Sequence, residues 1–598
     1  MDLKLLSDSD PFVLFEDARP GGSVARLFTG PCETVVAWTL DEVAPALEAL
    51  RAGLKRGRHA AGWFSYEAGH EFEPRLAARV KRRDAGAFPL VWFGLFERAE
   101  LVTREALERA LPDGAGAWLS APRPRMTRAA YAQKFARTQC YIADGDVYQI
   151  NLSYRADLTV LGDPLAAYAR LRGAGQGGWS AVVYNGDQWL LSTSPELFFR
   201  LSDGAIEARP MKGTAKRRSD PEADRLVAEA LRRDPKELAE NVMIVDLLRN
   251  DISRLAKRGS VHVSELFKVE TYPTLHTLTS TVKAEIEDKY DAVDVLRTLF
   301  PCGSITGAPK IRAMEIIDEL ETDERGAYTG SIGWMAPDGS AEFNVAIRTI
   351  AIDGARAEVG LGAAVVADST LDGEWEECRT KGAFITANAP AFDLIETMRF
   401  EPGAGVSWIE LHLARLEASA RTFGFGFDAA GIRDAIAAAI AGAAPSVVRL
   451  LLGADGLPRI ELKPLPAFPA AGASVAVAPL PVDARDFRLR HKTTLRDFYD
   501  DARAGSDADE VVFLDGEGFV TEGSFTNVFV ERDGMLVTPP LMRGLLPGVL
   551  RADLIASGRA REGDLRAADL GRGFFVGNAV RGLVAARLAT PVLRRAAS

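Results

Sequence analysis

Cysteine is scarce in this 598-residue chain: there are four, Cys32, Cys140, Cys302 and Cys378, and no two form a C-x-x-C pair. That argues against a disulfide framework or a cysteine-based zinc site and fits a reducing compartment. Long apolar runs are missing too. No stretch approaches the roughly twenty apolar residues of a membrane span, and the N-terminal MDLKLLSDSDPF holds no run of signal length, so a cytoplasmic protein is expected. Basic clusters are also absent: 72 Lys and Arg stand against 83 Asp and Glu, a formal charge of −11. Such a chain gains little from counterion release, which argues against a nucleic-acid partner. No short-period repeat points to a solenoid or propeller.

What remains is the composition of a soluble globular protein, 47% apolar and 26% charged, in a chain too long for one hydrophobic core. At least two domains are expected. The clearest seam is TKGAFITANAPAFDLIETMRF, where a helical pattern ends near Ala387, Pro390 follows and strand alternation restarts. It predicts domains over 1–388 and 392–598. KPLPAFPAAGASVAVAPLPVDARD, from Lys463 on, is rich in proline and alanine and reads as a connector between two lobes of the later domain.

In the first domain WLLSTSPELFFRL and AIEARPMKG are joined across SDG, a hairpin signal. A two-residue Asp203-Gly204 turn places Glu196 opposite Met211 and Lys212 within a residue of that carboxylate. Strict pleating sends the two side chains to opposite faces, and Pro210, which cannot donate to the ladder, suggests a bulge or register change. Lys212, between a methionine and a glycine, otherwise reads as a solvated loop charge.

DPKELAENVMIVDLLRNDISRL predicts a helix with Asp234 as N-cap, Pro235 at its first position, Glu237 completing a capping box, and Leu238, Val242, Val245 and Leu248 as its apolar stripe. Glu237 and Glu240 are neighbours on its surface. LDGEWEECRTKGAFITA predicts another helix, with Glu374, Glu377 and Lys381 along one face. Facing carboxylate pairs suit a hard cation such as Mg²⁺. The pairs read equally as a cap and as ordinary i, i+4 partners. EVGLGAAVV has G-x-G after a strand, but more strand follows, so the dinucleotide fingerprint fails. Backbone amides near Gly360 and Gly362 still allow close approach of an anion. PCGSITGAPKIRAMEIIDELE has the wrong spacing for a P-loop and reads as a turn before a helix starting at Pro309.

The ordered set SPELFF, RPMKGTAKR, DPKELAENVMIVDLLRNDISRL, TYPTLHTLTSTV, FPCGSITGAPKIRAMEIIDELE, RGAYTGSIGW, FNVAIRTI and GLGAAVVADSTLDGEWEECRTKGA closely resembles the chorismate-utilising enzymes, among them anthranilate synthase and aminodeoxychorismate synthase components I and the isochorismate synthases. The motifs span most of residues 120–387. The resemblance implies an α+β fold of two antiparallel sheets flanked by helices, binding Mg²⁺ and chorismate between them. It implies Glu240 and Glu377 as metal ligands, supported by Glu237 and Glu374, and His276, Tyr328, Arg348, Lys381 and the amides near Gly362 as substrate contacts. Anthranilate synthases resembling this chain usually carry a small residue at position 212, whereas the aminodeoxychorismate synthases carry lysine in P-x-K-G-T. The implied role of Lys212 is nucleophilic attack on carbon 2 of chorismate, with Glu196 as general acid for the hydroxyl leaving carbon 4. A lysine must be neutral to attack.

LHLARLEASARTFGF, RHKTTLRDFYDDAR, DEVVFLDGEGFVTEGSFTNVFV, GLLPGVLR and VGNAVRGLV resemble the fold-type IV pyridoxal-phosphate enzymes over nearly all of the two-lobed second domain. Lys492 matches the Schiff-base lysine, Glu522 the carboxylate on the pyridine nitrogen, and Arg415 the phosphate arginine; Gly548, Val549 and Asn578 match further phosphate contacts. One departure is that Asp497 occupies the common tyrosine position of the aminotransferases, with Tyr499 further on.

Together the two resemblances imply consecutive reactions: amination of chorismate to 4-amino-4-deoxychorismate, then elimination of pyruvate to 4-aminobenzoate, a folate precursor. In the second, Lys492 would act as base and then acid. The alternatives are a fused true aminotransferase or a non-catalytic, PLP-binding or dimerising domain. No G-x-C-x-G elbow occurs, so ammonia is expected free or from a separate glutamine amidotransferase subunit, with homodimerisation through the PLP domain possible.

Overall fold

The structure, a computed structural model, describes residues 10–22, 24–79, 88–272, 275–466 and 472–589. The chain divides between Asn388 and Ala389 into two compact units, the second also taking the short segments Ala115–Trp118 and Leu161–Asp163. Among the described residues no helix is long and apolar enough to cross a membrane.

Two ten-stranded sheets build the first unit, and every described pair in them is antiparallel. Their facing side chains meet in one core, with Val13, Val183 and Leu190 from one sheet against Trp63, Trp92 and Ile332 from the other. Strands such as Trp179–Tyr184 and Val91–Phe96 are buried along their whole length. Each therefore reads as a continuous apolar run, without solvent-face alternation. The outer faces carry helices. Pro235–Ser253 packs on the strands Leu275–Glu285 and Met211–Lys216 of one sheet, while Leu371–Gly382 packs on Arg356–Val365 of the other. Each sheet thus supports one glutamate-bearing helix.

The hairpin turn forms as its sequence predicts. Asp203 and Gly204 have φ of 51° and 74°, the two left-handed residues that a two-residue turn matching strand twist requires. The expected pairing beyond it fails. Arg200 pairs with Glu207, but Leu197 pairs with Arg209, so the register shifts by one within the strand Leu197–Ser202. Pro210 falls between the strands Ala205–Arg209 and Met211–Lys216, and its carbonyl accepts from the Ser280 amide at 3.2 Å. The second irregularity falls at Gly213, between Lys212 and Thr214.

In the helix Pro235–Ser253 the Asp234 carboxylate accepts from the amides of Lys236 and Glu237 at 2.9 and 3.2 Å. The Glu237 carboxylate does not complete the expected box; it lies against Gly213. The buried stripe runs through Asn241, Ile244, Val245, Leu248 and Ile252, leaving Val242 41% exposed. The turn before the other helix start behaves as expected, with Pro309 preceding Lys310–Leu320.

The second unit contains a four-stranded antiparallel sheet around Leu394–Glu401 and Ser446–Leu452 and an eight-stranded mixed sheet around Ala473–Pro479 and Phe574–Asn578. The connector is shorter than the sequence suggests, because Ala473–Pro479 is a strand in the larger sheet. Part of the expected linker, residues 467–471, lies outside the described residues.

One buried ion pair braces the interior of the first unit. Arg325, 2% exposed, donates to Glu321 at 2.8 and 2.7 Å, to the Ile305 carbonyl at 2.9 Å and to the Asn151 carbonyl at 2.6 Å. Removing one member of such a pair strands the other in low dielectric. Arg325→Met is therefore expected to lower stability by about 3–5 kcal/mol, measured as a fall in the denaturant midpoint of the first unit.

Candidate active sites

Lys212 lies in the strand Met211–Lys216, immediately before its bulge. It pairs with Leu278, Thr214 pairs with Thr277, and Gly213 between them sits at φ +75°. A Cβ at Gly213 would stand 2.8 Å from Oε2 and 3.2 Å from Cβ of Glu237 at a left-handed backbone angle, so glycine is favoured by both the backbone and the helix above it. This places a half-buried lysine under the first turns of Pro235–Ser253.

Nζ of Lys212 makes no hydrogen bond or ion pair among the described residues, yet its charge interacts with Glu240, Lys381, Glu196 and Glu377. Burial pushes its pKa down, Lys381 adds to this, and the carboxylates offset only part. Glu196 moves the other way. It is 3% exposed, accepts from the Ser304 hydroxyl at 2.6 Å and is pushed up to about 7 by burial. The two shifts run in opposite directions: burial makes the Lys212 amine easier to deprotonate and the Glu196 carboxyl harder to ionise.

The four glutamates come from the two sheet-backed helices. Burial and the neighbouring Glu240 push Glu237 up to about 7, and burial raises Glu240 and Glu374. Glu374 is 5% exposed; Oε1 accepts from Ser369 at 2.6 Å while Oε2 is buried with no partner. Glu377 differs, because Lys381 at 2.7 Å outweighs its burial and holds its pKa low. Among the described residues no group of three or more His, Cys, Asp or Glu is close enough together to hold a metal ion as the side chains stand. An all-oxygen group of mutually repelling carboxylates with one orphaned oxygen nevertheless fits a hard divalent cation.

Beside these carboxylates, a Cβ at Gly360 would enter the Tyr328 ring at 2.0 Å, and one at Gly362 would meet Ser153 Oγ at 2.2 Å and the Tyr328 hydroxyl oxygen at 2.8 Å. The two glycines let the ring lie on the strand. Lys381 joins this group by donating to the Gly362 carbonyl at 3.0 Å. His276 and Arg348 are linked instead to Thr271 and Tyr272. The two ring nitrogens of His276 meet Asp224 at 3.0 Å and the Thr271 hydroxyl at 2.9 Å. Arg348, half-buried at φ +49°, has its pKa lowered by burial, with Tyr272 opposing, and no carboxylate partner among the described residues. Ser304 was not singled out from sequence; a serine in a glycine-rich turn carries no signal of its partner.

In the second unit a cavity of about 350 Å³ is lined by Arg415, Lys492, Glu522, Gly548, Val549 and Asn578. Burial takes Lys492 down to about 7, helped by Arg415 and Arg496. Burial takes Glu522 up to about 7; it accepts from the Tyr499 hydroxyl and from the Leu546 amide at 3.0 Å. The displaced tyrosine of the sequence therefore serves this carboxylate.

Arg415 forms a two-pronged pair with Glu396 at 2.8 and 2.6 Å and donates to the Pro547 carbonyl at 3.0 Å. His412 shares Glu396 through Nδ1 at 2.5 Å, and its Nε2 is buried without a partner. Burial works against ionising Glu396, but Arg415 and His412 hold it at about 2. Sequence reading passed over Glu396 and His412, which look there like a strand acid and a helix histidine. The Gly548 amide goes to the Leu546 carbonyl at 2.8 Å, and a Cβ there would stand 1.8 Å from Asn527 Oδ1. Asn578 uses its side chain locally, accepting from the amides of Val580 and Arg581 and donating to the Phe525 carbonyl at 3.2 Å. A lysine near its neutral point, a poised carboxyl and an arginine beside a helix start fit a cofactor bearing a carbonyl, a ring nitrogen and a phosphate.

Residues 10–387 match the chorismate binding enzymes, and residues 393–589 match amino-transferase class IV. Aminodeoxychorismate synthase component 1 of Salmonella typhimurium is 42% identical over 339 residues, 53% of this chain and 74% of that protein. Anthranilate synthase component 1 of Aquifex aeolicus is 40% identical over 259 residues, 43% of this chain and 52% of that protein. The crystal structure of anthranilate synthase component I from Streptococcus pneumoniae superposes with a TM-score of 0.53 at 26% identity, covering 61% of this chain and 92% of that one.

Gly213→Ala is expected to cost about 1–3 kcal/mol, for strained backbone and for contact with Glu237. Gly204→Ala has similar φ but nothing within 4 Å of the new Cβ, so its cost in the same denaturant titration is smaller. Equal losses would remove the Glu237 contact from the explanation.

Proposed function

The chain belongs to the chorismate binding enzymes through residues 10–387, and on that premise we propose that it makes 4-aminobenzoate in two steps. The first unit aminates chorismate to 4-amino-4-deoxychorismate; the second eliminates pyruvate from that product. Identity alone does not separate the first activity from anthranilate synthesis, since the two kinds of relative stand at 42% and 40%. Lys212 beside Glu196 is the observation that carries the choice. The opposed shifts of their pKa values favour a neutral amine and a protonated carboxyl together.

In this reading Nζ of Lys212 bonds to carbon 2 of chorismate. Both ring double bonds shift, the bond from carbon 4 to oxygen breaks, and Glu196 gives its proton so that water departs. Ammonia then adds at carbon 4, the double bonds shift back and the lysine amine leaves carbon 2. Ser304 orients the Glu196 carboxyl, and Tyr328, Lys381 and the Gly362 strand support the ring, while His276 and Arg348 offer contacts for the substrate's carboxylates. Glu240 and Glu377, with Glu237 and Glu374, would hold Mg²⁺, which supplies charge neutralisation for the anionic substrate. Glutamine-derived ammonia would come from a separate amidotransferase subunit; the relatives' designation as a component 1 supports this.

For the second step Lys492, Glu522, Arg415 and the Val549 amide would hold pyridoxal phosphate, which supplies an electron sink at the carbon bearing the amine. Lys492, near its neutral point, removes the proton at carbon 4; the carbon 3 to oxygen bond breaks, the ring aromatises, and the enol of pyruvate leaves with that proton. Tyr499 and the Leu546 amide fix Glu522. The absence of membrane-spanning helices among the described residues fits a cytoplasmic setting.

Purified chain supplied with chorismate, Mg²⁺, ammonia and PLP is expected to yield 4-aminobenzoate and pyruvate, identified by mass. Lys492→Ala should stop at 4-amino-4-deoxychorismate, and amine transfer to a 2-oxo acid instead would mark a true aminotransferase. At constant free ammonia the first step should fall as pH rises through about 7, where Glu196 loses the proton it must donate. Glu196→Gln should remove the alkaline limb and lower kcat about 10²- to 10⁴-fold; an unchanged profile would contradict the assignment.

A further inference from the structure

We propose that Arg581, whose guanidinium lies over Phe525 in the wall of the second unit's cavity, captures a carboxylate of the bound amine and thereby selects anionic substrates. Its guanidinium carbon lies 4.7 Å from the Phe525 ring centroid, and that of Arg503 lies 5.4 Å from the same ring. All three side chains line the cavity that contains Lys492. The arrangement is braced. Asn578 holds the Arg581 amide at 2.9 Å and clips it to the Phe525 carbonyl at 3.2 Å. Beneath, buried Glu510 accepts from the Ser524 amide at 3.0 Å, the Ser524 hydroxyl at 2.5 Å and the Thr526 hydroxyl at 2.6 Å, fixing the turn that presents Phe525.

The other arginines lining this cavity are occupied. Arg415 is held by Glu396 at 2.6 Å, Arg449 by Glu461 at 3.2 Å and Arg488 by Asp486 at 2.6 Å. Arg496 donates to the Ser524 carbonyl at 2.6 Å, and Arg503 lies 3.9 Å from Asp500. The Arg581 side chain alone among them makes no hydrogen bond or ion pair among the described residues, although it is half-buried. Its burial depresses its pKa, with Glu510 opposing and Arg503 reinforcing the effect. A half-buried cation without a counter-ion is unfavourable unless a ligand brings the opposite charge. The guanidinium carbon lies over the Phe525 ring and the N–H groups carry no bond among the described residues, so the fork remains available to grip a carboxylate with two hydrogen bonds.

The second step proposed above supplies the ligand class, an amine whose ring and enolpyruvyl groups each carry a carboxylate, and the identity of that substrate rests on that reading. The preference for an anion rests only on the cavity. The test titrates 4-aminobenzoate, which keeps only the ring carboxylate, its neutral amide, and 4-amino-4-deoxychorismate into PLP-loaded chain. Binding is read by calorimetry and by the cofactor's absorbance, which also reports folding of each variant. Arg581→Met is expected to weaken the acids about 10- to 100-fold, the range for a charged hydrogen-bond pair, and to leave the amide unchanged. Arg581→Lys should restore part of the loss. Loss for both acids assigns the ring carboxylate, and loss only for 4-amino-4-deoxychorismate assigns the enolpyruvyl one. Unchanged affinity for both acids in Arg581→Met overturns the proposal. If the wild type binds acids through Arg581 yet releases no pyruvate, the carboxylate site stands and the reaction reading fails.

Discussion

Taking a lysine amine out of water without giving it a direct ion pair is the constraint around which the first unit is organised. Were Lys212 bonded to a carboxylate it would stay protonated and inert as a nucleophile; fully solvated, it would be protonated as well. Its position under a glutamate-bearing helix, with Lys381 nearby, depresses the pKa while nearby carboxylates limit the effect. The same burial keeps a proton on Glu196. Opposed shifts of an acid and a base placed near each other are a pattern common at functional sites.

The fold supplies this environment by bringing one helix from each sheet to the cleft and by omitting side chains where backbones must approach. Gly213 lets the lysine strand run against Glu237, and Gly360 and Gly362 let Tyr328 lie on the opposing sheet. Arg325 ties the Asn151 strand to the turn that carries Tyr328. The second unit repeats the physical theme with different parts: Lys492 is brought near its neutral point by burial and two arginines, while Glu522 is raised and pinned by Tyr499.

Much of the architecture was legible because it is local. The Asp203-Gly204 turn, the helix after Asp234 and the Glu374–Lys381 face each follow from adjacent residues, and the ordered motifs identify both domains. The register beyond the hairpin was not legible, since the shift lies in the strand Leu197–Ser202, where it is irregular against both of its neighbours, and not in the strand that carries the proline signal. Of the Pro235–Ser253 stripe, Val245 and Leu248 are buried as expected, but Val242 is exposed while polar Asn241 is buried, its side-chain oxygen accepting from Ser280 at 2.6 Å. Ser304, Glu396, His412 and Arg581 owe their surroundings to residues distant in sequence, so their types alone announce nothing.

Trapping the covalent step is the most direct measurement. Chorismate and Mg²⁺ are incubated with the chain in the absence of ammonia, the mixture is quenched, and peptides are mapped by mass spectrometry. The expected result is an adduct on Lys212 with the mass of chorismate less one water, discharged when ammonia is added. An unmodified Lys212 in a preparation that still aminates chorismate, or full turnover by Lys212→Ala, would contradict nucleophilic catalysis by this side chain.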